Sequence, residues 1–104
     1  MSGKGKATQV YEYPFRPHEK WTHQSVTIGA DAYSPALPPG TECILVQAVG
    51  DEVRMTLDGT APTGAVGFRL LLTDPPIRIA ITDKTNPQFF GEGATSALEL
   101  CAGE

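Results

Sequence analysis

After Trp21 the apolar residues fall into short rows of alternating character, and each row is cut off within a few residues by Gly or Pro. Alternation at every second position gives an extended strand one apolar face, whereas a helix would need apolar residues three and four apart. In Ser25-Val26-Thr27-Ile28, Val26 and Ile28 point one way, and Gly29 ends the row. Pro35, Pro38 and Pro39 make 30–40 a loop or irregular edge. Glu42 to Val49 is nearly continuously apolar, as expected of a central strand covered on both faces. Gly50-Asp51 then reads as a two-residue hairpin into Glu52 to Asp58, where Val53, Met55 and Leu57 face the core. Further rows follow at Val66 to Leu72, Ile77 to Ile81 and Gln88 to Phe90. Thr95 to Ala102 suits a last strand, with a short helix as the competing reading because Ala97-Leu98-Glu99-Leu100 are good helix formers. Seven to eight short strands with frequent turn signals imply an all-β fold, a small antiparallel β-sandwich of jelly-roll or immunoglobulin-like type.

The first twenty residues follow a different rule. They carry Tyr11, Tyr13, Pro14, Phe15 and Pro17 with neither strand nor helix periodicity, so they read as an extended arm, 1–20, ahead of a sandwich domain, 21–104. Three aromatics in five positions are unusual for a merely solvating tail. They suggest anchors that order on a neighbouring subunit, with Tyr11, Tyr13, Phe15, Arg16 and Trp21 as the partner-contacting set.

Charge narrows the partners. Residues 1–20 sum to +2, and residues 21–104, with four basic and ten acidic side chains, to −6. An acidic body lacks the row of Lys and Arg that nucleic-acid binding requires. No apolar run approaches the roughly 18 residues of a membrane-spanning helix, and Lys4 and Lys6 are followed by no apolar stretch of a secretory leader. At 104 residues the chain holds one small core and no cleft between lobes. Cys43 and Cys101 read as reduced thiols, and whether they meet is open.

The residues announce no reactive centre. His18 and His23 are the only histidines, and neither lies at ligand spacing from a Cys or carboxylate on one element, so no metal and no cofactor is expected. Pairing of His23 with Cys101 or Asp58 in space is the less favoured alternative to a strand-edge histidine. Ser25, Ser34 and Ser96 lack a nucleophile-elbow context. Asp51, Glu52 and Asp58 cluster at turns, where carboxylates cap backbone N–H groups more often than they perform acid–base work. Trp21 with Tyr33 is a candidate sugar-stacking platform, although a lone Trp in a small β domain usually fills the core edge. The chain is read as not an enzyme.

The string Val53-Arg54-Met55-Thr56-Leu57-Asp58-Gly59-Thr60-Ala61-Pro62-Thr63, followed by Gly67-Phe68-Arg69-Leu70, resembles a signature of small tailed-bacteriophage virion proteins. Pro39 to Gln47 ahead of it and Gly93 to Leu100 behind it match their layout, so the resemblance spans roughly Trp21 to the last residue. A similar Asp-Gly-Thr and Pro-Thr pattern occurs in immunoglobulin-like modules of chitobiase-type carbohydrate enzymes. In both groups Asp58, Gly59, Thr60 and Pro62 correspond to a structural turn. The resemblance implies a virion component, made in the host bacterial cytoplasm. The favoured form is a capsid decoration (cement) protein, a dimer or trimer bound to the major capsid protein. Alternatives are a small tail or head–tail accessory protein and a module binding a glycan or host surface through Trp21, Tyr33 or the 58–67 loop.

Overall fold

The computed structural model describes residues 15–104. Seven strands form where the alternating rows lie: β1 (Gln24–Thr27), β2 (Cys43–Val49), β3 (Val53–Thr56), β4 (Phe68–Leu70), β5 (Ile77–Ala80), β6 (Gln88–Gly91) and β7 (Ala97–Gly103). Among the described residues no helix forms. The competing helix at 95–102 loses because β7 pairs with β1 on one side and β2 on the other, while Leu98, Leu100 and Ala102 alternate into the core with no exposed surface. Intrinsic helix preferences of a few tenths of a kcal/mol per residue do not outweigh two ladders and that burial.

The strands make two antiparallel sheets, one ordered β1-β7-β2-β5 and the other β4-β3-β6. Tyr33 adds a one-residue neighbour to β6, donating to the Phe89 carbonyl at 2.8 Å and accepting from the Phe89 amide at 2.9 Å. With Tyr33 counted as a vestigial eighth strand, the chain changes sheets at every connection except β3 to β4. That interleaving is the double Greek key of a jelly roll, not the immunoglobulin order.

One local reading fails. Gly50-Asp51 does not close a hairpin, because β2 and β3 belong to different sheets and both edges of β2 are already taken by β5 and β7. The turn is a corner between layers, fastened by Asp51, whose carboxylate accepts from the Thr95 amide (2.9 Å) and hydroxyl (2.7 Å).

Ile28, Ile44, Val46, Leu98 and Leu100 from the first sheet meet Val53, Met55, Leu70 and Phe89 from the second. On the outer face of β2, Leu45, Gln47 and Val49 are only half-buried, so the strand is fully covered on its inner face alone.

The body also begins earlier than Trp21. The His18 amide donates to the Ala102 carbonyl (2.9 Å) and the Glu104 amide to the Arg16 carbonyl (2.8 Å), laying residues 15–18 antiparallel beside the end of β7. Pro17 does not prevent this, because the bonds come from its two neighbours and its missing donor faces away, as proline requires at a sheet edge. His18 is buried, its Nδ1 accepting from the Lys20 amide (3.0 Å) and its Nε2 facing the Pro39 carbonyl (3.1 Å). The chain approaches Gly103 so closely that a Cβ there would stand 2.6 Å from the Phe15 ring, 2.9 Å from the Arg16 carbonyl and 2.9 Å from Cys43 Sγ. Gly103→Ala is therefore expected to cost about 1–3 kcal/mol by overpacking. Urea denaturation would show the loss, and protease cleavage should begin near Phe15.

Candidate functional site

The most unusual surface lies along β4, the terminal strand of the second sheet. The register sets Leu70 opposite Val53 and Phe68 opposite Met55, so Phe68 shares the core-facing side of the sheet with Leu70. Leu70 is 3% exposed but Phe68 is 69% exposed: an aromatic in an inward register with no opposing layer over it. Val66 is exposed beside it on one cleft, whereas Leu71 and Leu72, also exposed, follow the strand, and Leu72 stands with Asp51, Glu52, Arg69 and Glu92. Met55, Leu57, Val66 and Phe68 bound an open cleft of about 520 Å³ with Asp58 and Thr60 on its rim. Leaving a side chain of this size in water forgoes about 1.5–3 kcal/mol relative to burying it. Contiguous apolar surface of this kind marks contact sites.

The edge is held in place by polar bonds. Asp58 accepts from the Thr60 amide at 3.0 Å, a bond that is the largest cause holding its carboxyl below the ordinary aspartate range. The Gly59 amide donates to the Asn86 carbonyl (3.2 Å), the Thr56 hydroxyl donates to the Thr60 carbonyl, and Pro62 is buried. These residues fix the turn that opens the cleft. On the outer face, Arg54 donates to the Gly67 carbonyl (3.0 Å) and pairs with Glu92 (3.3 Å), while Arg69 grips Glu92 with two bonds of 2.9 and 3.0 Å. A bidentate fork fixes orientation as well as distance. The surface is thus presented by a braced strand.

The expected partner-contacting residues are distributed differently. Tyr11 and Tyr13 lie outside the described residues. Phe15 is half-buried against the chain's own Gly103, while Arg16 is exposed. Trp21 packs partly against the core, and Tyr33 tilts against Phe89 with ring centroids 6.5 Å apart. Each of these two rings is engaged within its own body, which does not favour a shared stacking platform.

The titratable side chains serve separate local tasks. His23 pairs with Glu99 at 2.6 Å, neither with Cys101 nor with Asp58. Cys43 and Cys101 are free and lie on the outer face of adjacent strands, opposite Gly103 and Leu45 respectively. Burial, then the neighbouring Cys43, pushes the Cys101 thiol up, the reverse of what an activated thiolate needs. Among the described residues no group of three His, Cys, Asp or Glu could hold a metal ion.

These bonds make a pH prediction. Four carboxyls sit below their ordinary range: Asp51 through the Thr95 hydroxyl and amide, Asp58 through Thr60, Glu92 through Arg69, and Glu99 through His23. With folded-state pKa values depressed, the unfolded chain binds more protons in acid. The contribution is therefore complete above the unfolded values near about pH 4 and is lost as pH falls through the folded ones. Thermal melting temperatures measured from neutral to acidic pH are expected to be level first and then to decline. Asp51→Asn should flatten part of that decline.

Sequence reasoning missed Val66, Phe68, Leu71 and Leu72 as exposed apolar residues. The signal was the consecutive Leu70-Leu71-Leu72, which breaks the alternation a half-buried strand needs. No protein-family model, no curated protein and no solved structure matches the chain.

Proposed function

We propose that this is a non-enzymatic structural protein of a tailed-bacteriophage particle, a decoration protein that assembles as a small homo-oligomer and clamps adjacent major capsid subunits. The observation that carries this reading is the braced apolar edge at β4, with Phe68 facing inward yet uncovered. Such a surface is shaped for another polypeptide. The resemblance of the 53–70 segment to small virion proteins supplies the setting. Repetition supplies the strength, since many modest contacts on one shell multiply through effective concentration. The acidic body is repelled by packaged nucleic acid.

The test is to purify the particle encoded by the same genome and count this chain against the major shell protein. Copies comparable in number to the shell subunits are expected. A handful of copies per particle points to a tail or head–tail accessory protein, and none removes the virion reading. Phe68→Ser, at an exposed position, is expected to leave the melting curve nearly unchanged and to lower particle occupancy.

A further inference from the structure

We infer that the β4 edge is covered by the Tyr11-Glu12-Tyr13 segment of a second copy of this chain, added as an antiparallel strand with Tyr13 beside Phe68 and Glu12 beside Arg69. The inference rests on the reading of β4 as an assembly surface and names what occupies it.

Pattern comes first. Along β4 the order is Phe68 inward, Arg69 outward, Leu70 inward. An extended Tyr11-Glu12-Tyr13 carries the same alternation with the opposite charge in the middle. Side by side they place aromatic next to apolar on the inner face and carboxylate next to guanidinium on the outer face, two of the pairings that stabilise neighbouring strands. Arg69 is half-exposed even though it bonds Glu92 (2.9 Å) and pairs with Glu52 (3.7 Å), so its solvent side remains open to a further carboxylate. Pro14 restricts Tyr13 to extended conformations, which suits strand addition.

Reach selects the second copy over the same chain. Phe15 is held beside Gly103 on the β1 side of β7. The end of β1 is tied to β6 by the Gly91 amide donating to the Gly29 carbonyl (2.9 Å), so the β1 edge of one sheet lies with the Tyr33 edge of the other. β4 is at the opposite side of the sandwich, with β5. Three strand spacings and one intersheet gap separate the two places, a straight line of about 17 Å that passes through the core. From Phe15, Tyr13 reaches at most about 7 Å and Tyr11 about 14 Å when fully extended. The tether is too short to round its own body and seat both rings. Exchange between copies has no such limit and closes naturally in a symmetric oligomer.

The experiment places a photoreactive benzoylphenylalanine at Phe68 of the full chain in an isotopically heavy copy, mixed and equilibrated with light wild-type chain before irradiation. Mass spectrometry of the cross-linked peptides is expected to join heavy residue 68 to light residues 9–14. A cross-link between heavy 68 and the same region of heavy chain alone, at every mixing ratio, would assign the arm to its own body and overturn the inference. So would cross-links to any other part of the second copy, or a chain that stays monomeric in sedimentation. As a separate readout, Tyr11→Ser with Tyr13→Ser is expected to weaken self-association on the order of a hundredfold, from the loss of two buried aromatics. Unchanged association would count against the proposal. The failures are distinguishable: mixed-label cross-links with no copies in the particle would remove the virion reading and leave arm exchange standing, whereas particle copies with no such cross-links would do the opposite.

Discussion

Phe89→Ala is expected to destabilise the domain by about 3–5 kcal/mol, the range for truncating a buried aromatic without full collapse of the cavity. Phe89 has no exposed surface, and its backbone makes both bonds to Tyr33 that give the second sheet its vestigial eighth strand. Its ring supports Tyr33 in turn, so the truncation loosens the whole 30–40 loop as well as the core. Domains of this size have a total stability of about 5–15 kcal/mol, so the variant should be largely unfolded at temperatures where the parent is intact. Urea denaturation followed by circular dichroism checks the size of the loss. A change under about 1 kcal/mol would mean that Phe89 does not centre this core.

Gly50→Ala should be nearly as damaging, for a different reason. Gly50 has φ 79°, in the left-handed region, and a Cβ there would lie 1.9 Å from the Thr95 carbonyl oxygen. Left-handed strain costs about 1–3 kcal/mol, and overpacking against a backbone atom adds about 1–3 kcal/mol. The corner cannot yield cheaply, because Asp51 beside it is fastened to Thr95 by two hydrogen bonds. Gly64→Ala, where no atom lies within 4 Å of the new Cβ, is the matched control and is expected to change little. Equal melting temperatures for the two variants would contradict the close approach at the corner.

These two sites show where local sequence rules held and where they stopped. The strand positions were legible chiefly where burial of one face imposes period two on the residues, as in β3 and β7. β1 and β4, with little buried, were marked by their short apolar rows and the Gly and Pro residues that end them. Asp58-Gly59-Thr60 was legible as a turn because the Asp carboxylate bonds an amide only two residues on. Gly50-Asp51 was misleading because a hairpin and a corner ask for the same residues; the choice depends on β5 and β7 already occupying β2. The arm boundary slipped for a similar reason. Pro17 argues against sheet pairing in isolation, yet a bond pattern that uses only its neighbours costs nothing. The β4 surface was the least legible feature. Phe68 obeys the inward alternation, and only the arrangement of the opposite layer decides whether an inward residue is covered. The residue that best marks the site thus lies in a row, Val66 to Leu72, that the sequence presents only as one more strand.

Amide hydrogen exchange across Val66 to Leu72 reads whether the β4 edge is covered, by comparing the full chain at high concentration, and mixed with particles, with the same chain at high dilution. β4 should exchange slowly at high concentration or with particles and fast on dilution, while β2 and β7 remain slow throughout. Identical exchange along β4 in every sample would show that the uncovered Phe68 edge meets no partner, and the account of this protein as an assembly component would have to be abandoned.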